Sequence, residues 1–173
     1  METKEGKKTR RVVIAMDGSE HSHYAFKWYL TKLRLPGDFL SLLHFATYEN
    51  MSYGAVSLFP GDPSIVEKII NTEEKRISEF IDKLGSLLQE NGIEGEVLRL
   101  SGEHAGQVLL KKAEELQADM IVTGSRGLGT VRRTVLGSIS DYIIHHAHVP
   151  VVVCKHVSHH KHGHHDSHPH HHK

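Results

Sequence analysis

Residues 12–33, VVIAMDGSEHSHYAFKWYLTKL, contain the unit that decides the fold. The apolar run Val12–Met16 is short, continuous and rich in β-branched residues, which is typical of a strand buried on both faces of a parallel sheet. Asp17-Gly18 ends this run, and Ser19 can cap a following helix. Apolar residues then recur at helical spacing, at Ala25, Trp28, Tyr29 and Leu33. The stretch therefore predicts a strand followed directly by a helix.

The same alternation continues along the chain. Further strands are predicted over 39–46, 95–100, 119–123 and 149–154. Helices are predicted from the apolar face that runs from Ile65 to Leu88, and over 107–117 and 138–146. Strands that alternate with helices form a parallel sheet with helices on both faces. We therefore predict an α/β fold, a Rossmann-like three-layer α/β/α sandwich.

Composition and charge limit the classes of partner. The 173 residues include 21 Lys+Arg and 21 Asp+Glu, so the net charge is zero with neutral histidines. A balanced charge argues against a nucleic-acid-binding surface and a polybasic membrane anchor. No apolar run approaches the roughly 18 residues of a membrane span. The polar first residues and the single cysteine, Cys154, add to the expectation of a cytoplasmic protein without disulfides.

The histidines divide the chain into unequal parts. Of 17 histidines, ten fall between His156 and His172. We predict a flexible N-terminus over 1–10, one domain over 11–155 and a disordered histidine-rich tail over 156–173. Clustered imidazoles bind Zn²⁺, Cu²⁺ or Ni²⁺. The tail is therefore either a metal-binding segment, with candidate ligands His159, His160, His164 and His165, or an inert solubilising extension.

A long glycine-rich segment, GSRGLGTVRRTVLGS over 124–138, separates the fourth strand from the last helix. Glycines let backbone N–H groups approach an anion, and a helix that begins at Ser138 adds free N–H groups and the positive end of its dipole. The Ser138 and Ser140 hydroxyls could donate further bonds. The segment lacks the Gly-Lys-Ser/Thr of a P-loop, and Arg132 replaces the third glycine of the dinucleotide fingerprint. Phosphate binding is the preferred interpretation, and an exposed loop whose glycines serve turns is the alternative.

Asp17 follows the first strand, at the sheet edge where doubly wound folds bind ligands. Its carboxylate could accept bonds from ribose hydroxyls or hold Mg²⁺. It could equally serve only to begin the helix near Ser19. The sequence offers no nucleophile placed beside a base, so a binding protein is predicted before an enzyme.

Four features together resemble the nucleotide-binding branch of the universal stress protein family. Gly124, Gly127 and Gly137-Ser138 match its G-2x-G-9x-G-(S/T) motif. The other matches are Val12–Met16 with Asp17-Gly-Ser, the strand ending in Leu42-Leu43-His44, and the closing Val149-Pro-Val-Val-Val. The resemblance covers about residues 10–155.

This resemblance implies a five-stranded parallel sheet in the order 3-2-1-4-5, with ATP and Mg²⁺ between strands one and four. It implies that Ala15, Met16 and Phe45 border the adenine, although Phe45 replaces a valine common in the family and could narrow the slot. Asp17 would lie near the ribose and the metal. The implied phosphate-binding segment comprises Gly124, Ser125, Arg126, Gly127, Gly137, Ser138, Ile139 and Ser140.

The family also implies a homodimer formed by the last strand, Val149–Val153, and a regulatory function in the stress response with protein partners that the sequence does not identify. Two other functions remain open: a slow Mg²⁺-dependent ATPase, and a metal-binding or scaffold protein that acts through its tail.

Overall fold

The computed structural model describes residues 9–47, 63–126 and 136–156. Its five strands are β1 (Arg11–Ala15), β2 (Phe39–Phe45), β3 (Gly95–Leu100), β4 (Met120–Gly124) and β5 (Val151–Cys154). The helices of these residues are α1 (Glu20–Lys32), α2 (Pro63–Glu90), α3 (Ala105–Glu115) and α4 (Ser138–His146). All strand pairs are parallel, in the order β3-β2-β1-β4-β5. The predicted α/β fold and strand order are confirmed.

The central strand β1 separates two apolar layers. Val12 and Ile14 point into the layer covered by α1 and α2, whereas Val13 points into the layer covered by α3 and α4. The alternation follows from the two-residue period of a strand. Because both faces are covered, the middle of the sheet is mostly apolar. Ser41 in β2 is an exception, and its hydroxyl donates to Glu96 Oε1 of β3 at 2.9 Å.

Several element boundaries differ from the predicted ones by one or two residues. β5 begins at Val151 rather than residue 149, because Pro150 has no N–H to donate and contributes only its carbonyl, which accepts from Ile121 N at 3.0 Å. α3 begins two residues earlier than predicted and ends at Glu115. Gln117 has φ 52°, a left-handed conformation that turns the chain towards β4.

A polar network closes the amino-terminal end of the sheet. Arg10 donates to the two carboxylate oxygens of Asp38 at 2.9 and 2.6 Å, and the Tyr29 hydroxyl donates to Asp38 Oδ2 at 2.6 Å. The Leu35 N–H donates to the same oxygen at 2.9 Å, and Arg10 also donates to Leu33 O at 2.8 Å. The network joins the start of β1, the end of α1 and the turn before β2.

Candidate functional site

A cavity of about 550 Å³ lies at the carboxyl end of the sheet. It is bounded by the ends of β1, β2 and β4 and by the first residues of α3 and α4. Ten of the predicted site residues line it: Ala15, Met16, Asp17, Phe45, Gly124, Arg126, Gly137, Ser138, Ile139 and Ser140. Of the remaining two, Ser125 lies next to the lining, and Gly127 lies outside the described residues, as do the tail candidates His159, His160, His164 and His165. The structure therefore brings residues that are far apart in sequence to one place.

Asp17 both organises α1 and lines the cavity. Its Oδ1 accepts from Ser19 N at 3.0 Å and from Ser19 Oγ at 2.6 Å. Ser19 Oγ in turn accepts from Ser22 N at 3.1 Å, which confirms Ser19 as the N-cap. Gly18, with φ 86°, makes the turn between them in a conformation that side chains disfavour. The local role and the cavity-facing position of Asp17 thus coexist.

The two ends of the glycine-rich segment are held together by the backbone. Gly137 N donates to Ser125 O at 2.9 Å, and Ser125 N donates to Cys154 O at 2.9 Å. Gly137 is the N-cap of α4 and supplies no side-chain hydrogen bond to the first turn. A helix start of this kind directs N–H groups and a positive partial charge towards the cavity, where an anion can accept them.

The Ser140 hydroxyl hydrogen-bonds within the protein itself. It is 5% exposed, and its hydroxyl donates to Gly124 O at 2.7 Å, since a carbonyl can only accept. Thr123 Oγ1 lies 3.1 Å from Ser140 Oγ and can supply the hydrogen for that contact. Ser140 therefore fastens α4 to the end of β4, and its predicted contact with a phosphate stays a prediction.

His44, near the end of β2, also lines the cavity. Its Nδ1 donates to Met16 O at 2.8 Å, and its ring meets Phe80 edge to face at 4.7 Å. Burial lowers the pKa of His44 more than the bond to Met16 raises it. The ring is therefore neutral at pH 7 and joins the ends of β1 and β2.

Arg76 is a lining residue that the sequence analysis missed. It projects from α2, where Nε donates to Glu73 Oε2 at 3.0 Å and the second guanidinium nitrogen donates to Thr47 O at 2.8 Å. Glu73 itself is fully buried. The only signal in the sequence is the three-residue spacing of Glu73 and Arg76 on one helix face. Of the residues described, Arg76 and Arg126 are therefore the two arginines of the cavity lining, and the charge of Arg76 is paired with the Glu73 carboxylate.

Metal-ligand chemistry in the cavity rests on Asp17. Within residues 9–47, 63–126 and 136–156, no three or more His, Cys, Asp or Glu residues gather as metal ligands. One carboxylate suits Mg²⁺ that takes its other ligands from phosphate oxygens and water. In the same described ranges, no helix is long and apolar enough to cross a membrane.

The sequence profile of the Universal stress protein family matches residues 8–155. The chain belongs to this family. The match covers every strand and helix described above, so the predicted membership of the universal stress protein family is confirmed.

The relatives of this chain include a universal stress protein of a plant. The chain is 28% identical over 160 residues to universal stress protein PHOS34 of Arabidopsis thaliana, and the match covers 84% of this chain and 62% of PHOS34. The chain thus spans less than two thirds of that relative's length.

Solved structures that share the fold include two with a bound nucleotide. One is a universal stress protein family protein from Arabidopsis thaliana with AMP bound, which is 20% identical with a TM-score of 0.60 and matches 84% of this chain and 91% of its own. The other is a universal stress protein in complex with cAMP, which is 19% identical with a TM-score of 0.57 and matches 83% of this chain and 95% of its own.

Proposed function

We propose that this universal stress protein binds ATP with Mg²⁺ in the cavity between β1 and β4, and that the bound nucleotide regulates its partners in the stress response. The convergence of Asp17, Arg126 and the start of α4 in one cavity carries the proposal. The relatives solved with AMP and with cAMP support a nucleotide as the ligand class.

The phosphates belong at the start of α4. Ser138 and Ile139 in the first turn of α4 offer N–H groups with the positive end of a helix dipole, and the Arg126 guanidinium adds a full positive charge from the other end of the glycine-rich segment. Gly124 brings the end of β4 close to the same space. Ser125 contributes by holding Gly137 in place through its carbonyl.

The base belongs between the ends of β1 and β2. Ala15, Met16 and Phe45 supply apolar surface on the cavity wall, and Leu109 of α3 extends that surface. Small-molecule sites typically combine such apolar walls with a few fixed polar groups. Here the fixed polar group is the His44 imidazole, which is held in place by its hydrogen bond to Met16 O.

Mg²⁺ belongs beside Asp17. The Asp17 carboxylate is oriented by its bonds from Ser19 and faces the cavity, so it can hold an ion that also contacts phosphate oxygens. When bound, Mg²⁺ neutralises part of the phosphate charge. A slow Mg²⁺-dependent ATPase is a second candidate, favoured by this carboxylate, and Asp17→Asn should then abolish phosphate release.

β5 is the edge strand of the sheet, and its residues Val151, Val152 and Val153 are only half-buried. An exposed apolar edge strand favours pairing with another chain. We propose that the chain forms a homodimer through Val149–Val153. We also propose that the protein is cytoplasmic. Light scattering should give twice the mass of one chain, and Val152→Lys should reduce that mass to one chain's.

Calorimetric titration of Mg-ATP into nucleotide-free protein tests the proposed ligand. We expect a dissociation constant in the micromolar range, about −8 kcal/mol. Arg126→Gln should weaken binding roughly tenfold, because it removes one charge-assisted contact with phosphate. Lys27→Gln, which removes a positive charge from an exposed position on α1, is the matched control and should bind as the wild type does.

Absence of binding heat at several temperatures would contradict the proposed ligand. Equal weakening by Arg126→Gln and Lys27→Gln would show that net charge, rather than the cavity, attracts ATP.

A further inference from the structure

Two histidine rings meet where the chain leaves β5. His21 lies in the first turn of α1, and His156 is the second residue after β5. Their ring centroids are 5.7 Å apart and their planes cross at 86°. The Tyr24 ring lies 5.1 Å from His156. His156 therefore packs against the amino-terminal half of α1.

The Nδ1 atoms of His21 and His156 are both buried, and neither has a hydrogen-bond partner in the described part of the chain. A buried polar atom without a partner costs about 1–3 kcal/mol. Two unpartnered nitrogens on neighbouring rings therefore need an explanation. A neutral imidazole carries a lone pair on one nitrogen, and that nitrogen is a ligand for Zn²⁺, Cu²⁺ or Ni²⁺.

The proposed ligand His21 lies near charged side chains of both signs. Burial, followed by the nearby His156 and Arg126, lowers the pKa of His21, and these effects outweigh the opposite influence of Asp17 and Glu20. The carboxylates of Asp17 and Glu20 also oppose the repulsion that Arg126 exerts on an incoming cation.

We propose that His21 and His156 are two ligands of a site for a divalent transition metal ion such as Zn²⁺. With Zn–N distances of about 2.0–2.1 Å, two imidazoles on one tetrahedral ion have centroids roughly 5–6 Å apart. The observed 5.7 Å fits this separation. Within the described residues, no third protein ligand joins the pair.

The site is separate from the nucleotide cavity, which neither histidine lines. The metal ion would join the segment after β5 to α1. It would thereby connect the start of the tail to the helix whose first residues border Asp17.

Thermal unfolding of the full chain with and without Zn²⁺ tests the proposal. After removal of metal with EDTA and dialysis, we expect Zn²⁺ at ten times its dissociation constant to raise the Tm by about 3–6 °C. His21→Gln and His156→Gln should each abolish this rise, measured against the variant's own metal-free Tm. Zn²⁺ that binds folded and unfolded chains equally, as binding to tail histidines alone would, does not shift the Tm.

The matched control is His23→Gln. His23 is an exposed histidine on the same helix, and its Nδ1 already contacts Ser19 O at 3.0 Å, so its replacement should leave the rise intact. In the wild type, the imidazole ¹⁵N resonances of His21 and His156 should shift together on addition of Zn²⁺. A full Tm rise in His21→Gln, or Zn²⁺ that shifts other histidine resonances and leaves these two in place, would overturn the proposal.

Discussion

Gly124→Ala is expected to lower the free energy of unfolding by about 3 kcal/mol and to distort the cavity that Gly124 lines. A Cβ at residue 124 would lie 2.7 Å from the carbonyl carbon of His21, 2.8 Å from its oxygen and 2.9 Å from its Cβ. Real Cβ atoms do not approach backbone this closely, and the start of a packed helix cannot yield like a flexible side chain. Either α1 or the end of β4 must therefore move.

The control for this substitution is Gly85→Ala. Gly85 lies inside α2, and a Cβ there would meet nothing within 4 Å. Alanine favours a helix interior by roughly 1 kcal/mol over glycine, so this variant should be as stable as the wild type or more stable. Urea unfolding of both variants gives the comparison. A Gly124→Ala protein of wild-type stability would mean that α1 can shift at no cost, contrary to the close packing described here.

Asp38→Asn should lower the free energy of unfolding by about 3 kcal/mol, because it removes a charge from a buried ion pair. The Asp38 side chain is only 2% exposed, and its two oxygens accept from Arg10, Tyr29 and Leu35 N. An asparagine has one acceptor oxygen, and its amide hydrogens would face these donors. Some hydrogen-bond donors of the buried network would then lack an acceptor.

The same network makes the loss depend on pH. Burial by itself would raise the pKa of Asp38, but the bonds from Arg10, Leu35 N and Tyr29 outweigh burial and hold the pKa below its ordinary value. The stabilisation is therefore complete above the ordinary carboxyl pKa and is lost as the pH falls through the lower, folded-state pKa.

Urea unfolding of wild type and Asp38→Asn at several pH values checks both statements. We expect the full stability difference at pH 7 and a smaller one below about pH 4. Asp82→Asn, which alters an exposed aspartate on α2, is the control and should change stability little at either pH. A difference between wild type and Asp38→Asn that stays constant down to pH 2 would contradict the depressed pKa.

Much of the fold could be predicted because its signals are local. The apolar run at 12–16 and the break at Asp17-Gly18 give β1 and the start of α1, and the order of the strands followed from the resemblance to the family. The start of β5 was predicted two residues early, because Val149 continues the apolar run although Pro150 cannot join the ladder as a donor.

The candidate site was predictable where its residues directly follow strands or begin a helix, as Asp17, Arg126 and Ser138 do. Arg76 was missed because only the packing of α2 brings it to the cavity. His21 and His156 are far apart in the sequence, and no local pattern predicts the contact between their rings. The partners of Asp38 are equally invisible, since Arg10 precedes it by 28 residues.

The bond from Gly137 N to Ser125 O has a consequence for how this domain can change over evolution. It fixes the position at which the chain leaves β4 and the position at which it enters α4. The sequence between these two positions can therefore be exchanged. Because the entropy cost of closing a loop grows slowly with its length, insertions or substitutions between these anchors add little to the cost of folding. The sequence between Ser125 and Gly137 can therefore change in length or composition while β4 and α4 keep their places.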